Sequence, residues 1–265
     1  MCAALVTGGS KGVGKGIVEG LCEAGHEVFF TGRDTVALEG TAAEASRLGG
    51  EAHPRRVDHG DDDQVEKLFA EFHEGRQLEI LANSAWGGYE NMIENGRYTW
   101  ADPYWEQPLW RWDAMMEKGV RSAFVASQLA TRLMRDSGRG LIVNLSFWAA
   151  QRYLGNALYG MSKAATDKMT ADMAAELDVP NITVTSLYPG LVRTEKVMAF
   201  SEFLDLSNSE SPRFIGRTIG ALWGNLAVRK RLNGQVCVAA ELARELGVVD
   251  VDRSSPTPLT LDTAG

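Results

Sequence analysis

Short apolar runs of strand length alternate with segments of helical periodicity along almost the whole chain, and this rhythm constrains the fold more than any other feature. The runs are "AALVT" (3–7), "VFFT" (28–31), "AHPRRV" (52–57), "LEILAN" (78–83), "LIVNLS" (141–146), "ITVTSLY" (182–188) and "QVCVAA" (235–240). Their length and β-branched content favour strands. Between them, Val13, Ile17, Leu21 and Ala24 share a helical face, with Gly25 placed to end that helix. Val65, Leu68, Phe69 and Phe72 behave likewise after "GDDD", whose Asp side chains suit the positive end of a helix. Strand and helix in alternation require crossover connections. The pattern therefore predicts an α/β fold, one doubly wound sheet of about seven parallel strands with helices on both faces. We expect one domain over 1–252 and, over 253–265, a polar, Pro-containing tail that is loosely ordered.

Directly after the first run comes "TGGSKGVGKG", opening the first helix. Gly8, Gly12 and Gly14, with Ser10, Lys11 and Val13 between them, allow a tight turn, and the helix start offers unpaired N–H groups to a pyrophosphate. The second strand then tells which dinucleotide is expected. An acid about 20 residues beyond the glycines holds a 2′-hydroxyl, whereas a 2′-phosphate needs that acid absent and a guanidinium nearby. Here Gly32 takes the acid's place and Arg33 follows, with Lys11 as a second cation. These residues favour NADP(H) over NAD, while Asp34 could instead accept a ribose hydroxyl if the register is one residue off.

Composition excludes other classes. The chain has 265 residues, 45% apolar and 23% charged, enough for a substantial core. Its net charge of −8 argues against nucleic acid as a partner. No apolar run is long enough to span a bilayer, and no signal peptide is evident, so a cytoplasmic location is expected. Cys2, Cys22 and Cys237 are odd in number and far apart, which suggests neither disulfides nor a metal knuckle. His26, His53, His59 and His73 show no ligand spacing and read as surface or turn residues, so no metal is expected.

The motifs together resemble the short-chain dehydrogenase/reductase (SDR) family. "TGGSKGVG" is similar to its TGxxxGxG, "LANSAWG" stands where NNAG is usual, "LIVNLS" leads to the serine, "YGMSK" is similar to YxxxK, and "YPGLVRT" to PGxxxT. They occur in family order, with Ser146 thirteen residues before Tyr159. The aromatic insert, "ESPRFIG" and "ELARELGVVDVD" resemble the dehydrogenase/reductase SDR family member 1 group. Longer members of that group carry a hydrophobic C-terminal extension that this sequence lacks, so membrane association is not carried over.

The resemblance implies a Rossmann-type sheet and an oxidoreductase acting on a small carbonyl or alcohol substrate. Tyr159 becomes the general acid, Lys163 the cation that stabilises its phenolate one helical turn on, and Ser146 a hydrogen-bond donor to the substrate oxygen. Asp58 is expected at the adenine, Asn83 in the cofactor cleft, and Pro189, Gly190, Val192 and Thr194 at the carboxamide. The resemblance also implies a homodimer or homotetramer through two long helices, about 111–135 and 157–177. A non-catalytic NADPH-binding sensor is the alternative.

Two motifs depart from the family pattern. In "NSAW", Ser84 and Trp86 replace the second Asn and the Gly of NNAG. In "MEKGVRSAF", Gly119 falls where family members commonly have an Asn that completes a proton relay to the lysine, so an altered proton path is expected. Residues 86–118 form an aromatic-rich insert, whose Trp100, Tyr104, Trp105, Trp110 and Trp112 could clasp a substrate or pack a subunit. Residues 195–211, with Met198, Phe200, Phe203 and Leu204, read as a substrate lid or an ordinary amphipathic helix.

Overall fold

The computed structural model describes residues 2–73, 75–89 and 91–264. Met1, Glu90 of the aromatic insert and Gly265 of the tail therefore lie outside the described residues, as does Glu74. The first half of the chain runs β1 (Ala3–Thr7), α1 (Gly12–Glu23), β2 (Glu27–Gly32), α2 (Thr35–Ser46), β3 (Glu51–Arg56), α3 (Asp62–Phe69) and β4 (Leu78–Asn83). A small antiparallel hairpin, β5 (Ile93–Glu94) with β6 (Arg97–Tyr98), opens the insert. Then α4 (Leu109–Trp112) continues through a π-helical stretch (Asp113–Arg121) into α5 (Ser122–Ser137). The second half comprises β7 (Gly140–Leu145), α6 (Ala157–Glu176), β8 (Ile182–Tyr188), β9 (Leu191–Val192), α7 (Glu195–Met198), β10 (Ser209–Glu210), α8 (Pro212–Gly224), α9 (Leu226–Arg231), β11 (Val236–Val238) and α10 (Ala239–Glu245).

Seven strands form one sheet in the order β11-β8-β7-β4-β1-β2-β3, all parallel, as the alternation predicts. Successive side chains of a strand point to opposite faces, and both faces here are apolar. Ala4, Val6 and Phe30 join Ile17, Leu21, Phe214 and Ile219 on one side. Ala3, Leu5 and Phe29 join Leu68, Phe72, Ala126 and Met134 on the other. Each fully buried side chain the size of Phe29 or Phe30 contributes about 1.5–3 kcal/mol. The last run ends sooner than expected, because Ala239 and Ala240 begin α10 instead of extending β11.

Helix starts follow local capping chemistry. Asp61 accepts the N–H of Gln64 at the start of α3, with Asp62 and Asp63 in its first turn, which explains the acidic run. Asp34, Asn156 and Ser211 cap α2, α6 and α8 in the same way. Helix α1 has no such side-chain cap at Lys11, which leaves its first N–H groups to find partners elsewhere. The tail is tied down, contrary to the expectation of loose order: Asn208 exchanges hydrogen bonds with Thr257, and Arg152 donates to the Leu261 carbonyl at 2.6 Å. No helix among the described residues is long and apolar enough to cross a membrane.

Candidate active site

The carboxyl ends of β1, β4, β7 and β8, neighbours in the parallel sheet, lie along one edge, the place of the ligand crevice in open α/β sheets, and each contributes one of the sequence motifs. After β1 the chain turns at Gly8, whose φ of +67° suits glycine. A Cβ on Gly8 would lie 2.7 Å from the Ala85 Cα, and one on Gly14 would lie 2.1 Å from the Gly8 carbonyl oxygen, so the turn is folded tightly against β4's exit and its own helix. Thr7 Oγ1 accepts the N–H groups of Ser84 and Ala85 at 3.1 Å each. The Gly8 N–H donates to Thr31 Oγ1, which pairs with His59 Nε2 at 2.7 Å. Burial holds the His59 imidazole down at about 4, hence neutral. His59 lies in the turn after β3, as one of its two readings had it, but it is buried and supports the glycine turn, which corrects the surface alternative. Ser10 is anchored through its carbonyl by Thr41, and Val13 packs against the core. The Gly12 N–H donates to Glu195 Oε2 at 2.9 Å.

At the end of β2, a Cβ on Gly32 would lie 2.6 Å from Ser10 Oγ, so the glycine makes room for the turn. Arg33 follows, and the Asp34 carboxylate is engaged by its cap to Ala37 and by Lys11 Nζ at 2.9 Å. Asp58 lies just beyond β3; its carboxylate accepts from the Gly60 N–H at 3.0 Å, while its own N–H donates to Gln64.

Tyr159 and Lys163 sit one turn apart near the start of α6, both buried. The Lys163 ammonium lies 5.8 Å from the Tyr159 ring centroid and donates to the Leu145 carbonyl at 3.1 Å. Burial lowers its pKa to about 8, against a nearby Asp167 that acts in the other direction. Burial also raises the Tyr159 phenol well above its usual range, and the neighbouring Tyr89, whose hydroxyl lies 3.0 Å from the Tyr159 hydroxyl, adds to the rise. Ser146 stands just past β7, where its hydroxyl donates to the Lys163 carbonyl at 3.3 Å. Behind it, Tyr188 donates to Asp167, whose carboxyl is raised by burial.

The wall facing Tyr159 is aromatic. Trp86, Tyr89 and Trp100 lie with ring centroids 6.0, 6.0 and 5.4 Å from the Tyr159 ring. Of the five insert aromatics considered from sequence, Trp100 alone enters this cluster. Tyr104 and Trp105 are each 71% exposed, Trp110 donates to Glu94, and Trp112 lies on a helix groove with Met116, Phe124 and Met173. Tyr89, which neighbouring glycines mark as loop, was not singled out by any spacing. Asn156 ties the insert to the helix: it donates to the Trp100 carbonyl at 2.7 Å and accepts the Tyr159 N–H. The segment 195–211 reaches the same wall through Lys196 Nζ, 2.9 Å from the Tyr89 carbonyl.

Asn83 is buried, and its amide donates to Asn144, Ser127 and the Ala123 carbonyl, joining β4 to β7 and α5. Asn144 and Ser186 both continue to Thr170, so a polar net braces the strand ends beneath the crevice. After β8, Pro189 leads to Gly190, whose N–H donates to Glu210 Oε2 at 2.8 Å. Burial raises the Glu210 carboxyl to about 7. Val192 is buried in β9, and Thr194 caps α7. Far from the crevice, strand pairing brings His53 beside Glu27 and Glu51, a juxtaposition that linear spacing hid, with Arg76 also 3.3 Å from Glu27.

The family model for short chain dehydrogenases matches residues 2–205. The chain is 35% identical over 264 residues to dehydrogenase/reductase SDR family member 1 of Mus musculus, covering 94% of this chain and 82% of that protein. Identity to the Homo sapiens protein of the same name is also 35%, with the same coverage. Among solved structures, a short-chain type dehydrogenase/reductase from Mycobacterium marinum superposes with a TM-score of 0.75 at 26% identity, over 89% of this chain and 93% of that one.

Proposed function

The chain belongs to the short-chain dehydrogenase family of nicotinamide-binding oxidoreductases, and from that premise we propose that it transfers hydride between NADP(H) and a small carbonyl or alcohol substrate, using Ser146, Tyr159 and Lys163. The observation that carries this reading is the buried ammonium of Lys163 one helical turn from the Tyr159 phenol, at the strand ends where the glycine turn also lies.

The residues present fit a dinucleotide. Gly12 already takes a carboxylate oxygen on its N–H, the behaviour expected of a pyrophosphate seat, and α1 has no side-chain cap to compete. Gly8, Ser10, Gly12, Val13 and Gly14 form that seat in our reading, with Asp58, Asn83, Pro189, Gly190, Val192 and Thr194 along the rest of the crevice. Two features support NADP(H): position 32 has no room for the acid that selects a 2′-hydroxyl, and the Asp34 carboxylate is held by Lys11 and its own helix. Arg33 and Lys11 are then the phosphate-binding cations.

The nicotinamide supplies the hydride. Tyr159 donates its proton to the substrate oxygen, and Lys163 stabilises the phenolate left behind. Ser146 donates to the same oxygen after turning from the Lys163 carbonyl. Trp100 and Tyr89 form an apolar wall that suits an aromatic or hydrophobic carbonyl compound. The half-exposed groove of Trp112, Met116, Phe124, Met169 and Met173 supports self-association through α4–α5 and α6.

NADPH and NADH are titrated separately, and nicotinamide oxidation is followed against a panel of ketones, aldehydes and quinones, with Tyr159→Phe as control. We expect NADPH-dependent turnover that falls by about 100-fold or more in the variant. Turnover unchanged in Tyr159→Phe, or NADPH binding without turnover across the panel, overturns the reading.

A further inference from the structure

Gly119 and Trp86 are both departures from the family pattern, and the structure makes them one feature. A Cβ on Gly119 would lie 2.8 and 2.9 Å from Cε3 and Cζ3 of the Trp86 indole. A Cβ on Gly88 would lie 2.5 and 2.6 Å from Cζ2 and Cε2, atoms on the other side of the same six-membered ring. The indole therefore occupies a slot between two glycines, and any side chain at 119 must displace it. The widened π-helical turn of Asp113–Arg121 carries Gly119 to this spot. No hydrogen bond positions the ring: its Nε1 is buried and has no partner among the described residues.

What the ring does face is charge. Lys163 Nζ lies 4.2 Å from the Trp86 ring centroid, well within the range of a cation–π contact, and the edge of the indole meets Tyr159. Lys163 has three N–H donors, and among the described residues one hydrogen bond from them is seen, to the Leu145 carbonyl. The other titratable groups around it are Tyr159 one turn before and Asp167 one turn after, with Tyr89 behind the first and Tyr188 behind the second. None places a full negative charge in direct contact with the ammonium. In a dry site the face of an indole is the strongest aromatic partner for a cation.

The geometry points to Trp86 as a positioning residue that holds the Lys163 ammonium by its π face, in place of an amide at 119, with Gly119 required to make room for it. This inference rests on the proposed Tyr159–Lys163 chemistry for its consequence, while its physical core is the state of Lys163 itself. The two departures are then a matched exchange: an Asn relay cannot coexist with the indole, and the indole cannot sit beside an Asn.

The test reads Lys163 directly. Protein labelled with 13C at lysine Cε is titrated by NMR without cofactor, the Lys163 resonance being assigned by its loss in Lys163→Met. Trp86→Leu, which fills volume without a π face, should lower the Lys163 midpoint by about one pH unit, and Trp86→Phe should keep most of it. Both side chains are smaller than indole, so neither overfills the slot. In parallel, Gly119→Asn is made in the wild-type and Trp86→Ala backgrounds, and NADPH turnover is measured across pH. Gly119→Asn should be damaging in the presence of the indole and at least partly restorative in the Trp86→Ala background, a coupling of about 10-fold in rate. A midpoint unmoved in Trp86→Leu, or additive effects of the two substitutions, overturns the inference. A shifted midpoint in a protein that turns over no carbonyl supports the inference and removes the redox reading; turnover with an unmoved midpoint does the reverse.

Discussion

The carboxylate of Glu195 accepts a hydrogen bond from the backbone N–H of Gly12 at 2.9 Å, although the residues lie 183 positions apart. An anionic side chain from the segment 195–211 thus rests on the turn where we place the pyrophosphate. Two anions cannot share one N–H, so cofactor binding must displace this carboxylate. Glu195→Gln is expected to tighten NADPH binding by roughly 3- to 10-fold, the scale of one exposed charge contact. Fluorescence titration of NADPH gives the answer, and weaker binding in the variant counts against the placement.

Lys11 and Arg33 flank the position where Gly32 leaves no acid. If they hold a 2′-phosphate, Lys11→Ala with Arg33→Ala should weaken NADPH by about 10- to 100-fold while leaving NADH nearly unchanged. Equal losses for both cofactors would place these cations elsewhere than at the phosphate.

Lys163 offers a test of stability as well as of rate. Its folded pKa of about 8 lies below the ordinary lysine value, so between the two the unfolded chain binds more protons than the folded one. Stability from this group is therefore lowest below about pH 8 and recovers as pH rises towards 10. Lys163→Met should raise the melting temperature at pH 7, by up to roughly 3 kcal/mol in stability, and the gain should fade near pH 10. Calorimetry at the two pH values checks the sign. If Lys163 acts as proposed, catalysis should show the opposite cost, with turnover declining above about pH 8 as the ammonium is lost.

Glu210 titrates in the other direction. Burial raises its carboxyl to about 7 beneath the Gly190 N–H, so the folded state holds a proton that the unfolded state releases above about pH 4. Its contribution is fully present below that value and is lost as pH rises through 7. Glu210→Gln keeps an acceptor for Gly190 without the charge, and should stabilise the protein at pH 8 but not at pH 4. Equal melting curves at pH 8 would contradict the burial of a charge there.

Much of this architecture is local and could be read from the chain. The glycine turn, the Asp caps and the Tyr159–Lys163 pair depend on φ, on helix-start chemistry and on the spacing of one helical turn, all properties of neighbours in sequence. The parallel strands needed only continuous apolar runs that must be buried on both faces, whereas the order in which they pair came from the structure. The arrangement beside Tyr159 was not legible in that way. Trp100 and Tyr89 are two aromatics among many in the insert, and nothing in their spacing separates them from the exposed Tyr104 and Trp105. His59 carries no local mark of burial; Thr31, 28 residues away, meets it only because their strand ends lie side by side. Sequence alone determined the doubly wound sheet, the turn and the one-turn spacing of Tyr159 and Lys163, because short-range sterics and periodic burial dictate them. Tertiary structure decided that Glu195 covers Gly12 and that Trp86 fills the space over Gly119, because parallel strands joined by crossovers bring distant loops to one edge, where shape and charge choose the contacts.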